Sequence, residues 1–196
     1  VRRYGQPDFD AKVADFLKLV DGGLAARYAK PRKSKMISVS LSGGGSFELS
    51  PGKHNVLQRD IVQTFLPKFA PGAVLLYFGD TAKKTLILDK KRLSELAISI
   101  TKHDKLPDVV ALYEEKNWLF LIEAVATSGP VSPNRYSEFK NVLKNCPIGT
   151  IWVSAFLDFK TFKKYADDIA WETEVWIADA PGHLLHYNGD RFLGPR

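Results

Sequence analysis

Two acids stand where apolar side chains are expected. In the stretch LPDVVALYEEKNWLFLIEAV, Leu106 to Val125, Asp108 and Glu123 each interrupt a run with the length and apolar content of a buried β-strand. VVALY and WLFLIEAV are separated by Glu114, Glu115, Lys116 and Asn117, a polar loop of hairpin length. If that loop joins antiparallel strands about a centre between Glu115 and Lys116, Asp108 falls opposite Glu123, with Cβ atoms roughly 4.5 to 5.5 Å apart on one face. Two carboxylates so close repel, and in apolar surroundings each favours its protonated form. A divalent cation removes the conflict. Mg²⁺ takes oxygen ligands, accepts one or two protein carboxylates and leaves its other positions to water and substrate phosphate, where it sharpens a nucleophile. The structural alternative is a solvated strand-end acid beside a buried acid that meets Lys or Arg.

The elements that must position this pair read as mixed α and β. Phe9, Val13, Phe16, Leu17 and Val20 fall at helical spacing before Gly22-Gly23. MISVSL and SFEL flank a Gly43-Gly44-Gly45 turn and read as a hairpin. SPGKHN leads into a helix with Leu57, Ile61, Phe65 and Leu66 on one face, which Pro67 is expected to end. AVLLYF is a buried strand with TLIL as its neighbour, and KKRLSELA is a short helix. Beyond the hairpin come a helix from about Pro133 to Lys144 with proline in its first turn, the strand TIWVSAF, the helix FKTFKKYADDIA, and a strand pair around Pro181-Gly182. The expected fold is α/β, a central mixed sheet flanked by helices. The expected division is an N-terminal helix and basic linker over residues 1–35 and a larger domain over residues 36–196.

Composition narrows the function classes. The 196 residues are 45% hydrophobic and 26% charged, in the range of one globular domain with a small appendage. No stretch approaches the roughly 18 apolar residues of a membrane span. VRRYGQPDFD lacks the apolar block of a signal peptide. A cytoplasmic protein with no membrane partner is expected. The chain begins at Val1 rather than Met, as a fragment or a processed product does. The single cysteine, Cys146, excludes an internal disulfide. His183 and His186, three apart on a strand, point to opposite faces and do not make a zinc pair. The net charge of +6 is concentrated early: residues 1–60 hold 11 Lys+Arg against 6 Asp+Glu, densest in KPRKSK. Lys30, Arg32, Lys33 and Lys35 form either a solubilising linker or a patch that binds polyanion phosphates.

Pro107-Asp108, a hairpin, and an acid two residues before a strand's end resemble the PD-(D/E)XK nuclease hairpin. The segments LSPGKHN, GDTA, HDKLPDVV, WLFLIEAV, GPVSP, DIAWETEVWIAD and HYNGDRFLGP occur in the order found in the BsuBI/PstI family of type II restriction endonucleases. The resemblance runs from about Ile37 to Pro195. It implies a restriction-endonuclease-like core, Mg²⁺ dependence, double-stranded DNA as substrate, a short palindromic site, CTGCAG for the family's namesakes, and a homodimer. Residue by residue, it makes Asp108 and Glu123 catalytic metal ligands and Asp80 a third. His54 and Asn55 also match, at a helix start where capping is their expected role.

The chain departs from the motif. Val125 stands where PD-(D/E)XK enzymes carry lysine, as it does in this family, so a basic group must come from elsewhere; Lys105 and Lys84 are the candidates. Ser128 and Asn134 replace a histidine and a lysine that the family carries downstream of the catalytic strand. Together with Arg135, which could meet a phosphate or guanine, they are candidate DNA contacts. The family's longer members also carry an N-terminal region. Two other functions fit the same residues: a weakened or inactive nuclease-fold module that binds DNA without cutting it, and a hydrolase of another phosphoester.

Overall fold

The structure is a computed structural model, and it describes residues 8–20, 36–79, 86–98, 106–126 and 128–188, the side chains of 17–20 excepted. Contacts divide the chain into two units, Val1–Met36 and Ile37–Arg196. In the first, α1 (Phe9–Val20) is formed, with Lys12 bridging Asp8 at 2.9 Å.

In the second unit, the hairpin of β1 (Ile37–Ser40) and β2 (Ser46–Leu49) precedes α2 (Lys53–Asp60). A seven-stranded mixed sheet follows, built from β3 (Val74–Phe78), β4 (Ile87–Leu88), β5 (Val109–Tyr113), β6 (Trp118–Val125), β7 (Gly149–Phe156), β8 (Thr173–Ile177) and β9 (Leu184–Tyr187). Its order is β4-β3-β5-β6-β7-β8-β9. β6, β7 and β8 run parallel, while the other neighbours are antiparallel. Helices α3 (Lys90–Glu95), α4 (Pro133–Val142) and α5 (Phe159–Tyr165) lie between these strands in sequence.

Period-two alternation along the central strands sorts side chains between two layers. Val109, Ala111, Phe120, Ile122 and Ala124 join Leu57, Ile61 and Phe65 of the helix after KHN on one face. Val110, Leu119 and Leu121 meet Leu93 of α3 and Phe139 of α4 on the other. Burying Leu57, Ile61 and Phe65 fully contributes roughly 1.5–3 kcal/mol each, and Phe65 packs edge-on against both Phe120 and Trp176. By the same alternation Glu123 lies on the α4 side of β6.

Pro67 does not end its helix. After α2 the chain widens into a π-helical segment, Ile61–Phe65, closed by Leu66 N–H on the Ile61 carbonyl, and resumes as Leu66–Phe69. The wider turn accommodates a ring that lacks an N–H and would clash in an unbroken α-helix. Elsewhere the caps are local. Ser132 Oγ accepts the Arg135 N–H at 3.3 Å before Pro133, and Asp158 Oδ1 accepts the Thr161 N–H at 2.7 Å. The β5–β6 loop winds into a 3₁₀ turn, Glu114–Lys116, and Asn117 closes it in the left-handed region at φ 53°.

Candidate active site

The β5–β6 ladder has the expected register. Val109 pairs with Ile122 and Tyr113 with Trp118, so the next step of the ladder brings Asp108 level with Glu123. Asp108 Oδ2 accepts the Ala124 N–H at 2.8 Å, which fixes its carboxylate against the end of β6. Asp108 is close enough to Glu123 for its charge to act on the second acid. Both lie where the parallel strands β6 and β7 end, with Glu123 level with Ser154. Glu123 is 9% exposed. Burial, then the charge of Asp108, pushes its pKa from 4.5 up to about 7 against the pull of Arg135.

Two basic side chains flank the pair from opposite layers. Arg135, in the first turn of α4, donates from Nε to Glu123 Oε1 at 3.0 Å and from Nη2 to the Leu106 carbonyl at 3.3 Å. Its guanidinium also lies 3.6 Å from Glu138 and is stacked 3.9 Å over the Phe139 ring. The arginine considered for a DNA contact is therefore turned inward onto the acid. From α2, His54 brings Nε2 to 3.3 Å from Asp108 Oδ1. Helix capping is not its role: Gly52 is the N-cap, and no side chain caps this helix. Burial acts to lower the His54 pKa, but the hydrogen bond and charge of Asp108, the Ala124 backbone and the charge of Glu123 outweigh it, so the net shift is upward from 6.5. Asn55 braces the preceding turn, donating to the carbonyl and hydroxyl of Ser50 at 2.8 Å.

The neighbouring strand end is tied to the same point. Gly79 N–H donates to the Asp108 carbonyl at 3.0 Å, and buried Gln58, one turn beyond His54, donates to the Gly79 carbonyl at 2.8 Å. Asp80 follows directly in sequence but lies outside the described residues, as do Lys84, Lys105, Lys30, Arg32, Lys33 and Lys35. Ser128 and Asn134 are exposed, Asn134 beside Arg135 in the first turn of α4. Val125 is fully buried among Phe156, Ile169, Val175 and Ile177.

Among the described residues no three His, Cys, Asp or Glu side chains form a ready-made metal cluster. The pair nevertheless fits Mg²⁺, which binds through one or two carboxylates and keeps its waters. A buried acid whose charged form is disfavoured by a second acid gains most from a cation. His186 of β9 bonds Glu174 on the neighbouring strand. Among the described residues no helix is long and apolar enough to cross a membrane.

A mixed sheet with two carboxylates at the mouth of a hairpin defines a restriction-endonuclease-like α/β core. The chain belongs to the BsuBI/PstI restriction endonuclease domain family, whose model matches residues 37–190. It is 42% identical over 172 residues to the type II restriction enzyme BsuBI of Bacillus subtilis, covering 88% of this chain and 54% of that one. It is 30% identical over 200 residues to the type II restriction enzyme AplI of Arthrospira platensis, covering 98% of this chain and 61% of that one. The solved structure of SdaI restriction endonuclease superposes with a TM-score of 0.78 at 39% identity, over 99% of this chain and 61% of that one. The chain thus spans between 54% and 61% of the length of these relatives.

Proposed function

We propose that this chain is the catalytic part of a Mg²⁺-dependent type II restriction endonuclease that hydrolyses double-stranded DNA at a short palindrome, CTGCAG. The observation that carries the reading is the hairpin register that sets Asp108 level with Glu123, with Asp108 held by the Ala124 N–H and Glu123 pushed up to about 7. In this reading both acids hold the cation, joined by Asp80. When bound, Mg²⁺ supplies an activated water and offsets charge on the scissile phosphate. The protein's own residues do the positioning. The Ala124 N–H fixes Asp108, and Arg135 orients Glu123 and opposes the rise in its pKa. Attack of the water oxygen on phosphorus breaks the bond to the leaving sugar oxygen.

The basic residues Lys30, Arg32, Lys33 and Lys35, with Ser128 and Asn134, are proposed to grip and read the duplex. A homodimer is proposed because a two-fold palindrome matches a two-fold protein, and the cytoplasm is the proposed place of action. The test is incubation with two plasmids, one carrying a single CTGCAG and one carrying none, in Mg²⁺ and in EDTA. The expected result is one discrete cut, in Mg²⁺ only, in the plasmid that carries the site. Retarded DNA in both buffers without product would instead identify a binding module, and consumption of nucleotides or RNA another phosphoesterase.

A further inference from the structure

The position that holds a lysine in related hairpins is closed to one here. Val125 is 0% exposed, packed among Phe156, Ile169, Val175 and Ile177, so an ammonium there would be stripped of water. Among the described residues, Arg135 and His54 are the basic groups in contact with the two carboxylates. Arg135 is committed to Glu123, the Leu106 carbonyl and the Phe139 ring. His54 is placed differently. Its Nε2 is 3.3 Å from Asp108 Oδ1, while the other oxygen of that carboxylate accepts the Ala124 N–H at the end of β6. The ring therefore lies against Asp108 beside the end of β6. Its side chain is 17% exposed, so the ring reaches solvent.

The helix that carries the ring is fastened at the same place. Gln58 follows His54 by one turn, on the same helix face, and holds the strand end that pairs with Asp108 through the Gly79 carbonyl.

We propose that His54 fills the role left open by the missing motif lysine: its imidazole hydrogen-bonds the attacking water and holds it beside Asp108. This rests on the nuclease reading above. His54 is in this account a catalytic residue that touches the reacting water and is not a ligand of the cation.

The experiment compares the full chain with His54→Ala, His54→Gln, His54→Lys and Asp108→Ala. Single-turnover cleavage of a CTGCAG duplex in Mg²⁺ is expected to fall on the order of 10²-fold in His54→Ala, the size of a lost acid–base or water-positioning group. His54→Lys is expected to recover at least about tenfold of that loss, and His54→Gln less. Duplex affinity in Ca²⁺ and calorimetric affinity for Mn²⁺ are expected to stay within about twofold of the unaltered chain. As a readout independent of cutting, titration with Mn²⁺ is expected to broaden the ring signals of His54 first among the four histidines.

Cleavage by His54→Ala within about threefold of the unaltered chain overturns the inference, and so does a His54→Lys no better than His54→Ala. Mn²⁺ binding lost as severely as in Asp108→Ala makes His54 a metal ligand and also overturns it. If His54→Ala does not fold, His54→Gln and the Mn²⁺ titration decide. Failure of the nuclease reading looks different: the unaltered chain does not cut, or Asp108→Ala still cuts. In that event Mn²⁺ that leaves His54 sharp removes the inference as well.

Discussion

Replacing Glu123 by glutamine is expected to make the protein more stable in EDTA above neutral pH, although it removes a charge paired to Arg135. The side chain is buried, and burial together with the charge of Asp108 raises its pKa from 4.5 to about 7. The folded state thus binds the proton more tightly than the unfolded chain, and stability falls wherever the folded state holds more protons. The contribution is complete below about 4.5 and is lost as pH rises through about 7. At ~1.4 kcal/mol per pKa unit, the loss amounts to roughly 3 kcal/mol.

Glutamine has the shape of the protonated acid and does not titrate. At pH 8.5 in EDTA, Glu123→Gln is expected to exceed the unaltered chain by roughly 3 kcal/mol, or about 6–12 °C in Tm for a chain of this size. A divalent cation at about 100 times its Kd should stabilise the unaltered protein by ~2.7 kcal/mol and leave the variant unmoved. Urea unfolding between pH 5 and 8.5, with EDTA and with Mn²⁺, measures both effects. An unaltered chain with no pH dependence between 5 and 7.5, or a variant less stable than it at pH 8.5 in EDTA, refutes the reasoning.

Installing the motif lysine directly, Val125→Lys, is expected to destabilise by about 3 kcal/mol or more, because an uncompensated charge enters the cluster of Phe156, Ile169, Val175 and Ile177; a melt no lower than that of the unaltered chain contradicts this. Arg135→Ala removes the group that opposes the rise in the Glu123 pKa. The acid limb of the cleavage pH profile should therefore move to higher pH, and an unmoved limb counts against the pairing. Ser154→Ala leaves the buried Val131 N–H without its partner at 3.0 Å, an expected cost of about 1–3 kcal/mol in urea unfolding.

The hairpin and its pair of acids were legible because strand periodicity and a four-residue polar loop fix register locally, and Val109 opposite Ile122 follows from them. Pro133 was similarly legible as a helix start, since proline suits the first turn, where no backbone N–H is needed. The partners of the acids were not. His54 reaches Asp108 from a helix packed across one face of the sheet, and Arg135 reaches Glu123 from the other. Periodicity assigns a residue to a face and says nothing about which helix terminus abuts which strand end. His54, near the start of its helix, carried the signature of a cap, and one signal pointed elsewhere: its i, i+4 spacing to Gln58, a second polar side chain on the same face. Pro67 was misread for a different reason. Its local rule holds for an α-helix, and the preceding π segment changes the hydrogen-bond register to which that rule applies.

The most direct test of the paired-acid site is cleavage of a linear CTGCAG duplex in Mg²⁺ by the unaltered chain, Asp108→Ala and Glu123→Ala, each first shown to be folded by circular dichroism. The account expects a discrete product from the unaltered chain and none from either variant. Cutting that persists in a folded variant would contradict it.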